Sequence, residues 1–209
     1  MDLGCGNAYL SFAAYRFLAQ DREVRLTGVD LRPQSRQRNT ELAAELGWDA
    51  TADFVEGAIL GAPVDGPIDV VLALHACDTA TDDALAQAAR WETPVVLASP
   101  CCHHDLQRQM KEAGPPSPYG LVVRHGILRE RLGDVLTDAL RAALMRQVGY
   151  RVEVVAFVSA EYTPRNTMLR AVRTAVEAAD PAAKAEYDAL VGAWGVTPYL
   201  KTLLDDACR

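Results

Sequence analysis

A chain of 209 residues, 50% hydrophobic and 23% charged, has the size and apolar content of one large globular domain, which excludes a disordered chain and a mini-protein. Folding a chain this long buries roughly 70% of its extended surface, enough for a layered core without disulfides or metals. A net charge of -7 excludes a surface that grips nucleic acid by overall charge, while leaving room for a local basic face.

In chain order, Asp2-Leu3-Gly4-Cys5-Gly6-Asn7-Ala8 forms a glycine-rich turn that opens a helix near Ala8. Residues 24–30 read as a strand and 34–46 as a polar helix with Leu42, Ala43 and Leu46 on its apolar face. Residues 54–56 are a short strand, and 68–74 a continuous apolar run of the kind covered on both faces. Thr79 or Thr81 is expected to cap the next helix, with Asp82 and Asp83 in its first turn. Residues 94–99 form another buried strand, and Gly114-Pro115-Pro116-Ser117-Pro118 marks a loop placed to cover a site. The longest helical pattern, 127–148, carries Leu128, Leu132, Leu136, Leu140 and Leu144 at spacings of four. Residues 151–159 and 166–174 are two strands whose link is too short for a helical crossover, so they pair antiparallel. Two amphipathic helices, 181–194 and 198–207, end the chain.

This alternation predicts an α/β fold: a Rossmann-like doubly wound sheet, mostly parallel, closed by a C-terminal antiparallel hairpin. Residues 1–176 are expected to form the ligand-binding domain, with 177–209 a helical extension packed on it. The first strand is expected to be truncated, because only residues 1–3 precede the glycine turn where about five buried residues are usual. On that reading the chain lacks most of its innermost strand and an N-terminal substrate-recognition region, leaving the ligand site poorly supported. No apolar run approaches the ~20 residues of a membrane-spanning helix, and no secretory signal is visible. The five cysteines are irregularly spaced, unlike a secreted disulfide framework. A cytoplasmic protein with free thiols and no membrane partner is expected.

Gly4 and Gly6 let the backbone approach a ligand closely, and the free amides of the following helix favour an electron-rich group. Tyr9 stands where a pyrophosphate fingerprint needs a small residue, which demotes a dinucleotide reading. Asp30 places a carboxylate at the carboxyl edge of the sheet, at the spacing used to hold a ribose. The same edge gathers His75, Cys77, Cys101, Cys102, His103 and His104. Three roles compete for these groups. A histidine, His103 or His104 before His75, can take a proton; the thiols and imidazoles suit zinc by ligand type; or a cysteine can act as nucleophile. Four adjacent residues point in different directions, so the sequence assigns no metal, and buried thiols packing as small hydrophobes are the plain alternative for Cys101 and Cys102. Asp78 and Asp82 can position an acceptor hydroxyl or amine, or cap a helix. Arg124, Arg129, Arg131, Arg141, Arg146 and Arg151, opposed by Glu130, Asp134 and Asp138, allow either an arginine face for phosphate or a solvated helix of alternating charge.

The pairing of Asp2, Gly4, Gly6 and Ala8 with Asp30 resembles the class I S-adenosylmethionine-dependent methyltransferases, whose sheet also ends in an antiparallel hairpin. The resemblance implies S-adenosyl-L-methionine as cofactor, held by Asp2, Gly4, Gly6, Asn7, Asp30, Glu56, Gly57 and His75, with His103, His104, His75 and Asp78 at the chemistry. One departure is that the third strand ends Glu56-Gly57-Ala58, where many members have Gly-Asp. A narrower resemblance lies in the segments 74–82 and 99–104, together with Thr163-Pro164-Arg165-Asn166. They look like the methyltransferase-like group that includes the eukaryotic tRNA 2'-O-methyltransferase acting on the acceptor stem, and in particular its bacterial members. That resemblance implies RNA, such as tRNA, as acceptor. A non-catalytic binding protein of the same fold, or a zinc or redox protein using Cys101-Cys102-His103-His104, are the alternatives.

Overall fold

The computed structural model describes residues 1–74, 76–159, 161–163, 166–174 and 180–207. Seven strands form one sheet: β1 (Asp2–Leu3), β2 (Leu26–Asp30), β3 (Ala52–Glu56), β4 (Val70–Ala73), β5 (Val95–Ala98), β6 (Tyr150–Ala156) and β7 (Thr167–Arg173). Their order is β3-β2-β1-β4-β5-β7-β6. The first five are parallel, and β7 runs antiparallel between β5 and β6, pairing Ala98 with Leu169 and Val154 with Leu169. The fold class and the closing hairpin are as expected from the strand-helix alternation.

β1 is two residues long yet lies at the centre of the sheet, with Asp2 paired to Gly28 and to Leu72. Met1 prolongs that pairing: its amino group donates to Val70 O at 2.9 Å and its carbonyl accepts from Leu72 N at 2.9 Å. Both β1 side chains are buried.

The helices are α1 (Tyr9–Leu18), α2 (Pro33–Glu45), α3 (Thr79–Arg90), α4 (His104–Ala113), α5 (Gly120–Val123), α6 (Gly126–Gln147), α7 (Pro181–Trp194) and α8 (Tyr199–Ala207). Pro33 suits the first turn of α2 because its missing N–H has no partner there. Side chains alternate along β2, so Leu26 joins Phe12, Ala43 and Phe54 in one apolar cluster. Val29 joins Leu3, Val71, Leu85, Val96 and Leu144 in the other. The two clusters therefore lie on opposite faces of the sheet.

Three local expectations are corrected. The buried stripe of α2 is Ser35, Asn39 and Ala43, while Leu46 is 44% exposed. The residue before α3 is Asp78, and Thr81 instead donates its hydroxyl to Ala76 O at 2.7 Å. The leucines of α6 do not form one stripe: a spacing of four advances about 40° per step, so Leu128 and Leu144 are roughly 160° apart. Leu144 is accordingly buried and Leu128 exposed. Two short helices, α4 and α5, were not foreseen. Among the described residues no helix is long and apolar enough to cross a membrane.

Candidate functional site

The site is assembled where β1, β2 and β3 end. Gly4 and Gly6 take φ of 77° and 55°, a region costly for residues with a Cβ. A Cβ on Gly4 would stand 3.2 Å from Ala76 Cβ and 3.3 Å from its Cα, so the loop after β4 would have to give way slightly for any other residue. The amides of Gly4 and Cys5 both donate to Val29 O, at 2.8 and 3.0 Å, which ties the turn to β2. Ala8, also at positive φ, is buried and precedes α1, whose first turn carries no acidic residue and no side-chain cap. Helix-start amides without a side-chain cap suit an electron-rich group.

Asp30 locks this turn. Its Oδ2 accepts from Gly6 N at 2.9 Å, and its Oδ1 accepts from Arg32 N and Nε, both at 3.0 Å. Burial alone would raise this carboxyl, but the hydrogen bonds from Arg32 and Gly6 outweigh it and hold it below the usual carboxylate range. The Arg32 side chain is 65% exposed, so a ligand hydroxyl can replace its contact without opening the core. Asp2 is enclosed and accepts from the Ser11 hydroxyl. Buried Asn39 donates to Gly6 O at 2.9 Å. Burial pushes the Cys5 thiol up to about 12, with Asp2 and Asp30 adding to it, which makes Cys5 a packing residue. Ser11 and Asn39 were missed by the sequence reading. The four-residue spacing of the small residues Ser35, Asn39 and Ala43 was the available signal for Asn39.

Glu56 pairs in register with Asp30, its side chain exposed, and Gly57 N donates to Asp30 O at 3.0 Å. Asn7 is exposed at the same edge. A Cβ on Gly57 would meet nothing within 4 Å. Acceptor oxygens on adjacent strand ends, beside uncapped helix-start amides, suit the hydroxyls and amine of a nucleoside with an anionic appendage.

The second half of the site lies beyond β4 and β5. His75 falls outside the described residues, as do Pro164 and Arg165 of the narrower motif. Asp78 has φ 54°, and its Oδ1 accepts from Asp105 N at 3.1 Å, so it secures the start of α4. Asp82 does not face an acceptor: Arg141 holds it with Nε and Nη2 at 2.8 and 2.9 Å, both residues being buried. That also removes Arg141 from the expected surface arginine face. Arg146 is exposed, with Nη2 donating to Val152 O at 2.7 Å.

The two adjacent histidines part company at the start of α4. His103 is 4% exposed, with Nε2 bonded to Asp138 Oδ1 at 2.9 Å and Nδ1 facing Asp134 Oδ1 at 3.0 Å. It joins α4 to α6 with both ring nitrogens facing carboxylates of α6, whereas the sequence offered it beside His104 as a general base. His104 is exposed and lines a cleft of about 430 Å³ with Gln107, Arg108, Lys111, Arg129 and Glu130. Cys77, Cys101 and Cys102 converge, with Sγ–Sγ separations of 2.8 Å from Cys77 to Cys101 and 3.6 Å from Cys101 to Cys102.

Solved structures of similar fold are methyltransferases. The chain is 14% identical to Podospora anserina methyltransferase PaMTH1 with S-adenosylhomocysteine bound, covering 83% of this chain and 70% of that one with a TM-score of 0.54. Geranyl diphosphate C-methyltransferase from Streptomyces coelicolor A3(2) is also 14% identical, over 83% of this chain and 70% of that one, with a TM-score of 0.52. Magnesium protoporphyrin IX methyltransferase from Synechocystis PCC 6803 is 18% identical over 83% and 73%, with a TM-score of 0.50. At these identities the likeness carries the fold. No curated protein sequence matches. A family model described as a methyltransferase domain matches residues 1–109, the stretch holding the glycine turn, Asp30, Glu56 and the loops after β4 and β5. The chain belongs to the methyltransferase domain family.

Proposed function

We propose that this chain transfers a methyl group from S-adenosylmethionine to RNA, as a relative of the group that includes the eukaryotic tRNA 2'-O-methyltransferase acting on the acceptor stem. The sulfonium cofactor supplies a methyl group with its own leaving group, so the protein's tasks are binding, alignment and proton removal. The observation that carries the reading is the Gly6–Asp30 lock, which fixes a carboxylate at the sheet edge next to a strained glycine turn. Asp30 and Glu56 would accept from the ribose hydroxyls and the adenine amine, and the Asn7 amide beside the N-terminus of α1 would face the amino-acid portion. Asp2 supports the turn from below through Ser11.

On the acceptor side, Lys111 and Arg129 line one cleft with Glu130 and with Arg108, which is paired to Asp105 and Glu112, and these cations support a phosphate-backbone reading despite the net negative chain. His104, exposed on that cleft, would accept the proton from an acceptor hydroxyl. His75, next to the loop after β4, is a second candidate by its sequence position.

The test is incubation of labelled cofactor and the purified chain with RNA-depleted and protein-depleted fractions of one extract. Label in RNA supports the reading. Label confined to protein, with RNA intact, rejects RNA as acceptor while leaving the methyl donor in place.

A further inference from the structure

We propose that Cys77, Cys101 and Cys102 bind a thiophilic divalent cation, zinc being the best match. The three thiols come from two loops made neighbours by the fold: β4 and β5 pair in register through Ala73 and Ala98, and Cys77 follows one strand as Cys101 and Cys102 follow the other. Each can present its sulfur within 4.8 Å of the other two. Tetrahedral zinc with Zn–S bonds of about 2.3 Å sets its sulfurs roughly 3.8 Å apart; Cys101 and Cys102 at 3.6 Å match that edge, and Cys77 and Cys101 at 2.8 Å would open by about 1 Å to hold the ion. Adjacent cysteines alone argued against a metal, because neighbours on a chain diverge. The structure changes that balance by bringing Cys77 across 24 residues of sequence to the same point.

A disulfide accounts for less of the cluster. Bonded sulfurs lie about 2.05 Å apart, whereas Cys77 and Cys101 are 2.8 Å apart. A bond between those two would leave the third thiol, 3.6 Å from Cys101, unused. Burial and the two neighbouring thiols push Cys101 up to about 12, so its proton has to be displaced on binding. Three S–H bonds then break, three S–metal bonds form, and three protons go to solvent. Cys77 is exposed and the other two are half-buried, so a cation can reach the cluster from solvent. Bound metal would also clamp together the two loops that flank the acceptor side of the site.

The full chain, reduced and freed of metal by a chelator, is titrated with cobalt(II) and then zinc. The expected result is one equivalent of cobalt with a thiolate-to-cobalt charge-transfer band, displaced by zinc binding with a Kd below about 1 μM. Cys77→Ser and Cys101→Ser should each weaken binding by more than about tenfold, since even lost outer-shell partners cost that much. Cys5→Ala, in the separate buried cluster, should leave it unchanged. Thermal melts confirm that each variant is folded, and the spectrum of the unsubstituted chain stands whatever the variants do. Absence of the charge-transfer band overturns the proposal. So does a band that survives both serine substitutions, or a Cys77–Cys101 disulfide in anaerobically purified protein that takes up no metal after reduction.

Discussion

Gly6 donates its amide to Asp30 Oδ2 at 2.9 Å, so the glycine turn after β1 and the acid that closes β2 act as one unit. The bond explains how a strand of only two residues can present a defined turn: its position is set by β2 as much as by β1.

Asp30→Asn should cost about 1.5–3 kcal/mol, the range for hydrogen bonds to a charged group, and weaken S-adenosylhomocysteine binding more than tenfold. The acid limb of stability carries a further signature. Because the native carboxyl sits below its unfolded value of about 3.9, its contribution is present above that pH and is lost as pH falls toward the native value. Denaturant titrations between neutral and acidic pH should therefore show a shallower stability loss in Asp30→Asn than in the unsubstituted chain. Equal slopes would show that Asp30 is not held down.

Glycine substitutions separate support from contact. Gly4→Ala should lower stability by about 1–2 kcal/mol from its positive φ alone, and further through Ala76 at 3.2 Å. Gly57→Ala meets no protein atom within 4 Å and should leave the melting temperature unchanged. If the cofactor lies over Gly57, that variant still loses affinity. A calorimetric titration beside a thermal melt of each variant reads both effects.

The adjacent histidines should behave oppositely. His103→Ala leaves Asp138 and Asp134 facing each other without the ring between them, and should destabilise the fold by about 2–5 kcal/mol. His104→Ala should leave the melting temperature within about 1 °C while lowering kcat by 10²-fold or more, the usual size of a lost acid-base group. Activity retained in folded His104→Ala would move proton removal elsewhere, with His75 the next residue to test.

Arg141 and Asp82 form a buried pair whose single removal should be severe. Arg141→Leu should cost about 3–5 kcal/mol by leaving Asp82 enclosed without a partner, and adding Asp82→Leu should recover most of that. Chemical denaturation of the two single variants and the double variant gives the coupling directly.

Much of this was legible in the chain. The β-branched runs of β2, β4 and β5, the glycine turn and the short link before β7 are local patterns, and local patterns place the sheet and Asp30. What escaped was nonlocal. Asn39, Asp138 and Arg141 look like surface positions on polar helices until tertiary packing turns them inward. α4 was hidden because His104–Ala113 is mostly polar, with only Leu106 and Met110 buried. His103 and His104 are alike in sequence and separated only by which side of α4 meets α6. The strand-end rule gathers Cys77 with Cys101 and Cys102 at one edge, but the close approach of their sulfurs has no local signature.

The most direct test of the account is a calorimetric titration of the folded chain with S-adenosylhomocysteine. The account predicts one saturable site with a Kd in the range of about 1–100 μM, weakened at least tenfold by Asp30→Asn. A chain that melts cooperatively yet shows no saturable heat would contradict it.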